Sequence, residues 1–422
     1  MPGLVPLPTG RRAAAAVLLI TLCCAIPLAP AAELSISCGA VGQELALCRS
    51  AAETWAQRTG NQVTVVSAPN ATNERLALYQ QLLASGSADL DVLQIDVIWP
   101  GILAEQLLDL TPYTAGAEGK HFPVLVENNR IRGRLLALPW YSSVGLLFYR
   151  KDLLERYGEP VPRDWEQLGA VARRVQAAER AAGNARFWGY VWQGRAYEGL
   201  TCNALEWFAS AGGGTLADGT GRVTLDNPQA AAALERAAAW VGDISPPGIL
   251  NYAEEESRGV FQSGHALFMR NWPYAWALAQ APDSPVRDEV GVAPLPAATL
   301  GGWHLAVSRH SRHPKLAADL VLYLTSEAVQ KRRAIEASYY PTRPALYQDA
   351  DVLAANPFLA ELEPSLRRAV ARPSAVAGSA YNRLSSRTWN AVHRVLAGKQ
   401  AAAPALKRLA RELRRILRRR GP

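Results

Sequence analysis

In the first third of the chain, short apolar or β-branched runs alternate with stretches of helical period. Leu34 to Cys38 reads as a buried strand. Gln43 to Thr59 carries Leu45, Cys48, Ala52 and Trp55 on one helical face, with Gly60 as its stop. Gln62 to Ser67 is β-branched and predicts a second strand. Thr72 to Ala84 is helical again, with Leu76, Tyr79 and Leu83 in phase. Asp91 to Ile95 predicts a third strand, ended by Asp96, after which Pro100 and Gly101 lead into another helix. Strands and helices alternating with short links predict a parallel sheet with helical crossovers. In open sheets of this kind, ligands bind outside the carboxyl ends of the strands. Glu44 follows the first strand, Asn70 and Arg75 the second, and Asp96 the third. The pattern alone therefore brings polar side chains together at one sheet edge.

Beyond Arg150 the chain becomes more helical and more aromatic. Asp164 and Trp165 open a helix running to about Ala182, and Gly212 to Gly214 and Pro246–Pro247 read as loops. Arg270 to Tyr274 is a dense aromatic turn. Strand-like runs return at Val290 to Val292 and Leu305 to Val307, so the chain is expected to leave one lobe, build a second and cross back. From about Ser338 it is helical again. In the tail, Leu406, Leu409, Leu413, Ile416 and Leu417 recur at helical spacing, which predicts an amphipathic helix with a basic outer face.

Composition narrows the class. Of 422 residues 49% are hydrophobic and 19% charged, as a well-cored globular protein requires. Arg11 and Arg12 precede an uncharged apolar run to Ile26, and Ala29 to Ala31 supply small residues for a peptidase. Residues 1–32 are therefore expected to be a cleaved signal peptide, cut after Ala31 or Ala32, and the mature protein to be periplasmic. Pro27 and Pro30 interrupt the run, which argues against a membrane anchor. The net charge is +8. However, Ala405 to Pro422 holds eight basic residues against Glu412, and Arg11 and Arg12 add two more, so the remainder is near neutral. A nucleic-acid binder would spread its charge over the folded body, so no nucleic-acid partner is expected. Cys38 and Cys48, ten residues apart, suit a disulfide in an oxidising compartment, with Cys202 left as a buried thiol; three reduced thiols are the alternative.

The chain has no P-loop, no nucleophile elbow and no His-Glu-x-x-His, and its six histidines are scattered. No metal, no cofactor and no catalytic residue is expected, and His304 reads as a packed imidazole. A glycoside hydrolase, which needs only two placed carboxylates, is the enzymatic alternative. The residues present suit a sugar. Carboxylates accept from hydroxyl pairs, arginine donates to oxygens, and aromatic rings cover the C–H faces of a pyranose. Most of the twelve tryptophans must nevertheless be core, Trp55 among them.

Several segments together resemble the trehalose/maltose-binding proteins of bacterial and archaeal import systems. They are Leu93 to Gly101, Ala137 to Leu154, Phe187 to Gly194 with Tyr197 to Gly199, Arg270 to Trp276, Val290 to Pro296, and Thr299 to His304. The resemblance runs from about Leu34 to Gly398. It implies an α/β fold of two lobes joined by hinge strands, the periplasmic-binding-protein fold. The lobes would comprise residues 33–142 with 278–335 and 143–277 with 336–404, followed by a basic helix over 405–422. It implies a non-catalytic monomer that captures a disaccharide and delivers it to the permease subunits of an ABC importer. The sugar contacts it implies fall on Glu44, Arg75, Asp96, Tyr141, Trp272, Tyr274, Gly302, Trp303 and Arg372, with Trp192 and Gln193 as neighbours. Ser143 stands where several relatives carry an aspartate that accepts from a sugar hydroxyl.

Overall fold

The computed structural model describes residues 1–4 and 31–418. The signal-peptide reading falls largely on residues outside that range. From Ala32 onward the chain forms an α/β body around two sheets. Its strands are β1 (Glu33–Cys38), β2 (Gln62–Ser67), β3 (Val92–Asp96), β4 (Arg130–Ile131), β5 (Arg134–Leu135), β6 (Leu138–Val144), β7 (Leu146–Arg150), β8 (Trp188–Val191), β9 (Ala266–Asn271), β10 (Val290–Pro294) and β11 (Leu300–Val307). The first sheet has the order β2-β1-β3-β11-β6. The second has the order β10-β7-β9-β8, and β4 and β5 form a separate hairpin.

In the first sheet β1 runs parallel to β2 and β3, as the alternating pattern predicts, and β11 enters antiparallel to both β3 and β6. β3 lies in the interior of the sheet and every one of its residues is buried. β2, at the edge, is only half-covered, and its Val66 is exposed. Helix α1 (Glu44–Thr59) packs through Leu47, Cys48, Ala51, Ala52 and Trp55. Leu45, expected on that face, is only half-buried, because the buried stripe is centred on Leu47 and Ala51. Trp55 is core, and its indole Nε1 donates to Asp319 at 2.8 Å. Helix α2 (Thr72–Ala84) buries Arg75, Leu76, Tyr79 and Leu83. The helix expected after Gly101 is instead a run of short turns. Pro112, Gly116, Gly119 and Pro123 break it, since proline lacks a helix-interior donor and glycine gives up helix propensity.

Only Gly145 separates β6 from β7, so one extended segment passes from the first sheet into the second. The return crossing lies later than residue 278. Val290 to Pro294 pair with Leu146 to Arg150 in the second sheet, and the chain rejoins the first sheet only at Leu300. Similarly, the segment after 336 is not confined to the second lobe. Ser142 donates to Tyr340, Phe122 donates to Thr342, and Asn356 donates to Ala334, all on the first-sheet side. The second lobe is cored by rings: Trp165, Tyr190, Trp192, Trp207 and Trp240 contact one another edge-on or tilted. The last helix, Ala402–Arg418, buries Leu406, Leu409, Leu413 and Ile416 against the helices Tyr381–Leu396 and Pro228–Trp240.

Candidate functional site

Strand ends of both sheets meet around one cavity of about 760 Å³, solvent at its mouth included. Glu44, at the start of α1, Asn70 and Asp96 reach it from the ends of β1, β2 and β3, the edge marked by the strand–helix pattern. β6 contributes Tyr141 and Ser143, and β11 contributes Gly302 and Trp303. The second lobe supplies Glu198, Glu254, Trp272, Tyr274 and Arg372.

Each cavity carboxylate is already held by protein donors. Glu44 Oε1 accepts from the Tyr141 hydroxyl and from Gln94 Nε2. Asp96 Oδ1 accepts from the Ile98 amide at 3.1 Å and from Arg372 Nη2 at 2.8 Å. Glu198 accepts from Arg372 Nη1 at 3.0 Å and from the hydroxyls of Tyr381 and Ser385, each at 2.6 Å. Glu254 accepts from the Tyr197 hydroxyl at 2.6 Å and from Trp272 Nε1 at 3.2 Å. Arg372 thus links an aspartate at the end of β3 to a glutamate of the second lobe. Burial depresses its pKa, but Asp96 first and then Cys202 and Glu198 more than reverse this and hold the guanidinium charged. Burial pushes the Glu198 carboxyl up, and Arg372, Ser385 and Tyr381 pull it partly back. The phenols of Tyr141, Tyr197, Tyr274 and Tyr339 are all pushed well up, by burial and then by a neighbouring carboxylate, so they remain donors. A carboxylate fixed on one side keeps lone pairs free for a donor on the other.

Two half-buried tryptophans, one per lobe, give the cavity flat surfaces, and each is backed by a guanidinium. Arg75 lies 4.3 Å from the Trp303 ring centroid and Arg270 lies 4.0 Å from that of Trp272. Trp99 meets Trp303 edge-on at 5.6 Å. Arg270 is fully buried and forms a two-pronged pair with Glu206, Nη2 to Oε1 at 2.6 Å and Nε to Oε2 at 3.1 Å. Gly302 adopts φ +146°, and a Cβ there would come within 2.9 Å of the Tyr141 carbonyl, so only glycine fits this strand crossing. Beneath the cavity, Arg333 is caged by the rings of Trp140, Tyr339 and Tyr141 at 3.9, 4.7 and 5.1 Å.

The bacterial extracellular solute-binding protein family matches residues 44–331. This chain is an extracellular solute-binding protein. A probable ABC transporter-binding protein of Deinococcus radiodurans is 48% identical over 397 residues, covering 92% of this chain and 94% of that protein. The structure of maltose-bound MalE3 from Thermotoga maritima is 38% identical, with a TM-score of 0.87, covering 92% of this chain and all of the other. A mannitol-binding protein of Pseudomonas aeruginosa is 26% identical over 260 residues, 58% of either chain. These relatives bind solutes and do not transform them, so the glycoside-hydrolase alternative is set aside and the solute-binding protein is not an enzyme.

Of the expected contact residues, Glu44, Asp96, Tyr141, Ser143, Trp272, Tyr274, Gly302, Trp303 and Arg372 all line the one cavity. Arg75 does not. It is fully buried behind Trp303, donates from Nε to the Pro69 carbonyl at 2.9 Å, and its two terminal nitrogens have no hydrogen-bond partner among the described residues. Its side chain is long enough to fold back under the ring. Trp192 and Gln193 also stand behind the wall, bonded to Ser245 and to the Arg270 carbonyl. Sequence reasoning missed Glu198 and Glu254 as cavity residues. Glu198 lay inside the Tyr197–Gly199 motif. Glu254 opens a run of three acids at a helix start, where acids need no further explanation. Cys38 and Cys48 are joined as a disulfide, and Cys202 is a buried free thiol in the cavity wall, its pKa pushed up to about 12 by burial. His304 is packed, paired with Asn129 at 2.9 Å. Among the described residues no cluster of His, Cys, Asp or Glu is arranged for a metal, and no helix is long and apolar enough to cross a membrane.

Proposed function

We propose that this solute-binding protein captures a small α-linked disaccharide of the trehalose or maltose type in the periplasm and hands it, as a monomer, to the permease subunits of an ABC importer. One observation carries the reading. Trp303 from one lobe and Trp272 from the other share a cavity with four carboxylates and Arg372, every charged group of which is preoriented by the protein. A neutral polyol whose hydroxyls ring two apolar faces satisfies such a surface; an anion meets an excess of carboxylates. Hydrogen bonds to charged groups contribute about 1.5–3 kcal/mol each, so a few of them with two stacked rings reach the roughly 8 kcal/mol of micromolar affinity. In this reading Glu44, Asp96, Ser143 and Arg372 bind hydroxyls, Trp272, Trp303, Tyr141 and Tyr274 shape the faces, and Gly302 lets the sugar approach the backbone. The maltose in the MalE3 relative and the transporter name of the Deinococcus relative support it. Calorimetry with trehalose, maltose, mannitol and monosaccharides tests it. One disaccharide should bind one-to-one at micromolar affinity or tighter; tight binding of a monosaccharide or alditol alone would reassign the ligand, and no binding across the panel would end the proposal.

A further inference from the structure

The net positive charge of this chain is gathered on two neighbouring helices. On Tyr381–Leu396 the exposed positions Arg383, Arg387 and Arg394 fall four and seven residues apart, along one helical stripe. On Ala402–Arg418, packed against it, the exposed basic positions are Lys407, Arg408, Arg411, Arg415 and Arg418. Glu412 is the one acid exposed on either helix, and it stands 3.8 Å from Arg387. No carboxylate among the described residues pairs with the others.

We infer that this face is an electrostatic docking surface for an anionic phospholipid membrane. Three observations favour that partner. First, the apolar side of the last helix is largely spent: Leu406, Leu409, Leu413 and Ile416 are buried in the protein and Leu417 is half-buried, so among the described residues of this helix no large apolar side chain is exposed to insert among acyl chains, and attraction must come from charge at the headgroup plane. Second, the rest of the chain is near neutral, so this face alone orients the molecule in the field of a charged surface. Third, the outward positions of the two helices carry no aromatic ring on which a nucleic-acid base would stack. Arg383 also lines the rim of a second groove between the segment around Ile98–Ile102 and the segment around Ser374–Ala380, so the docking face begins where first-sheet and C-terminal segments meet. Membrane attraction would confine the protein near its importer without anchoring it.

Co-sedimentation of the purified protein with vesicles tests this. Vesicles of equal phosphatidylglycerol and phosphatidylcholine should bind the protein at about 25 mM salt and lose it at least about tenfold at about 500 mM, while pure phosphatidylcholine vesicles should not bind it. The triple variant Arg408→Glu, Arg411→Glu, Arg415→Glu, whose changes all lie on exposed positions, should partition at least about tenfold more weakly, with unchanged sugar affinity and unchanged thermal unfolding. Equal binding to neutral vesicles, or equal partitioning of the triple variant, would overturn the inference. So would binding to heparin or duplex DNA without binding to anionic vesicles.

Discussion

Asp96 and Arg372 are paired across the cavity, and that pairing decides what their replacement should do. Asp96→Ala removes a preoriented acceptor and leaves Arg372 leaning on Glu198 alone; Trp303→Ala removes a ring that Trp99 and Arg75 hold in place. Each should weaken disaccharide binding by more than about 1 kcal/mol, read by calorimetry. Unchanged affinity in both variants would remove the site assignment. Glu44 and Asp96 were legible from the strand–helix alternation, because a residue directly after a strand has little freedom to be elsewhere. Arg75 was not, since four rotatable bonds let its head lie under a tryptophan instead of in the cavity. Arg372 and Glu254 reach the site through side-chain geometry that no local period records.

At the scale of single elements, the helix Ala402–Arg418 and the disulfide are separable supports. Leu413 is fully buried between the last helix and its neighbours, so Leu413→Ala should cost about 2–5 kcal/mol of stability in urea unfolding, with sugar affinity largely preserved. The Cys38–Cys48 bridge closes a loop of ten residues that leads into α1. Reducing it should lower the unfolding free energy by about 3 kcal/mol on the loop-entropy account, measured by melts with and without reductant. The ends of β1, β2, α1 and α2 were readable to within a residue or two, because apolar period and stop signals coincide there. The segment after Gly101 was not, as its prolines and glycines outweigh a weak apolar period. Nor was the partner of Val290 to Pro294, since pairing is settled by which edge is free, and that is a property of the assembled sheet.

The whole molecule should be acid-sensitive through two histidines. His121 and His304 are held near pKa 3 by burial; the Arg343 guanidinium adds to this at His121, and at His304 the charge that a protonated His121 would carry adds to it. Their folded pKa values lie below the unfolded one, so their stabilisation is full above about pH 6.5 and is lost as the pH falls toward 3. Between about pH 7 and pH 5 each should lose about 2 kcal/mol. Thermal melts across that range should show the decline, and His304→Asn should reduce it by roughly half, leaving the His121 share; identical melting at both pH values would refute the account. The buried Glu198, whose pKa is raised, acts in the opposite sense. Two lobes and a return crossing were visible in the sequence, but the position of the return was not. That return has a consequence for how the protein is made. β11 lies between β3 and β6, so a growing chain that stops before Leu300 has both of those strands and nothing to join them. The first lobe to be synthesised is therefore among the last parts to be finished. Until residue 307 has emerged, its central strand presents an unpaired edge that must be kept from other chains.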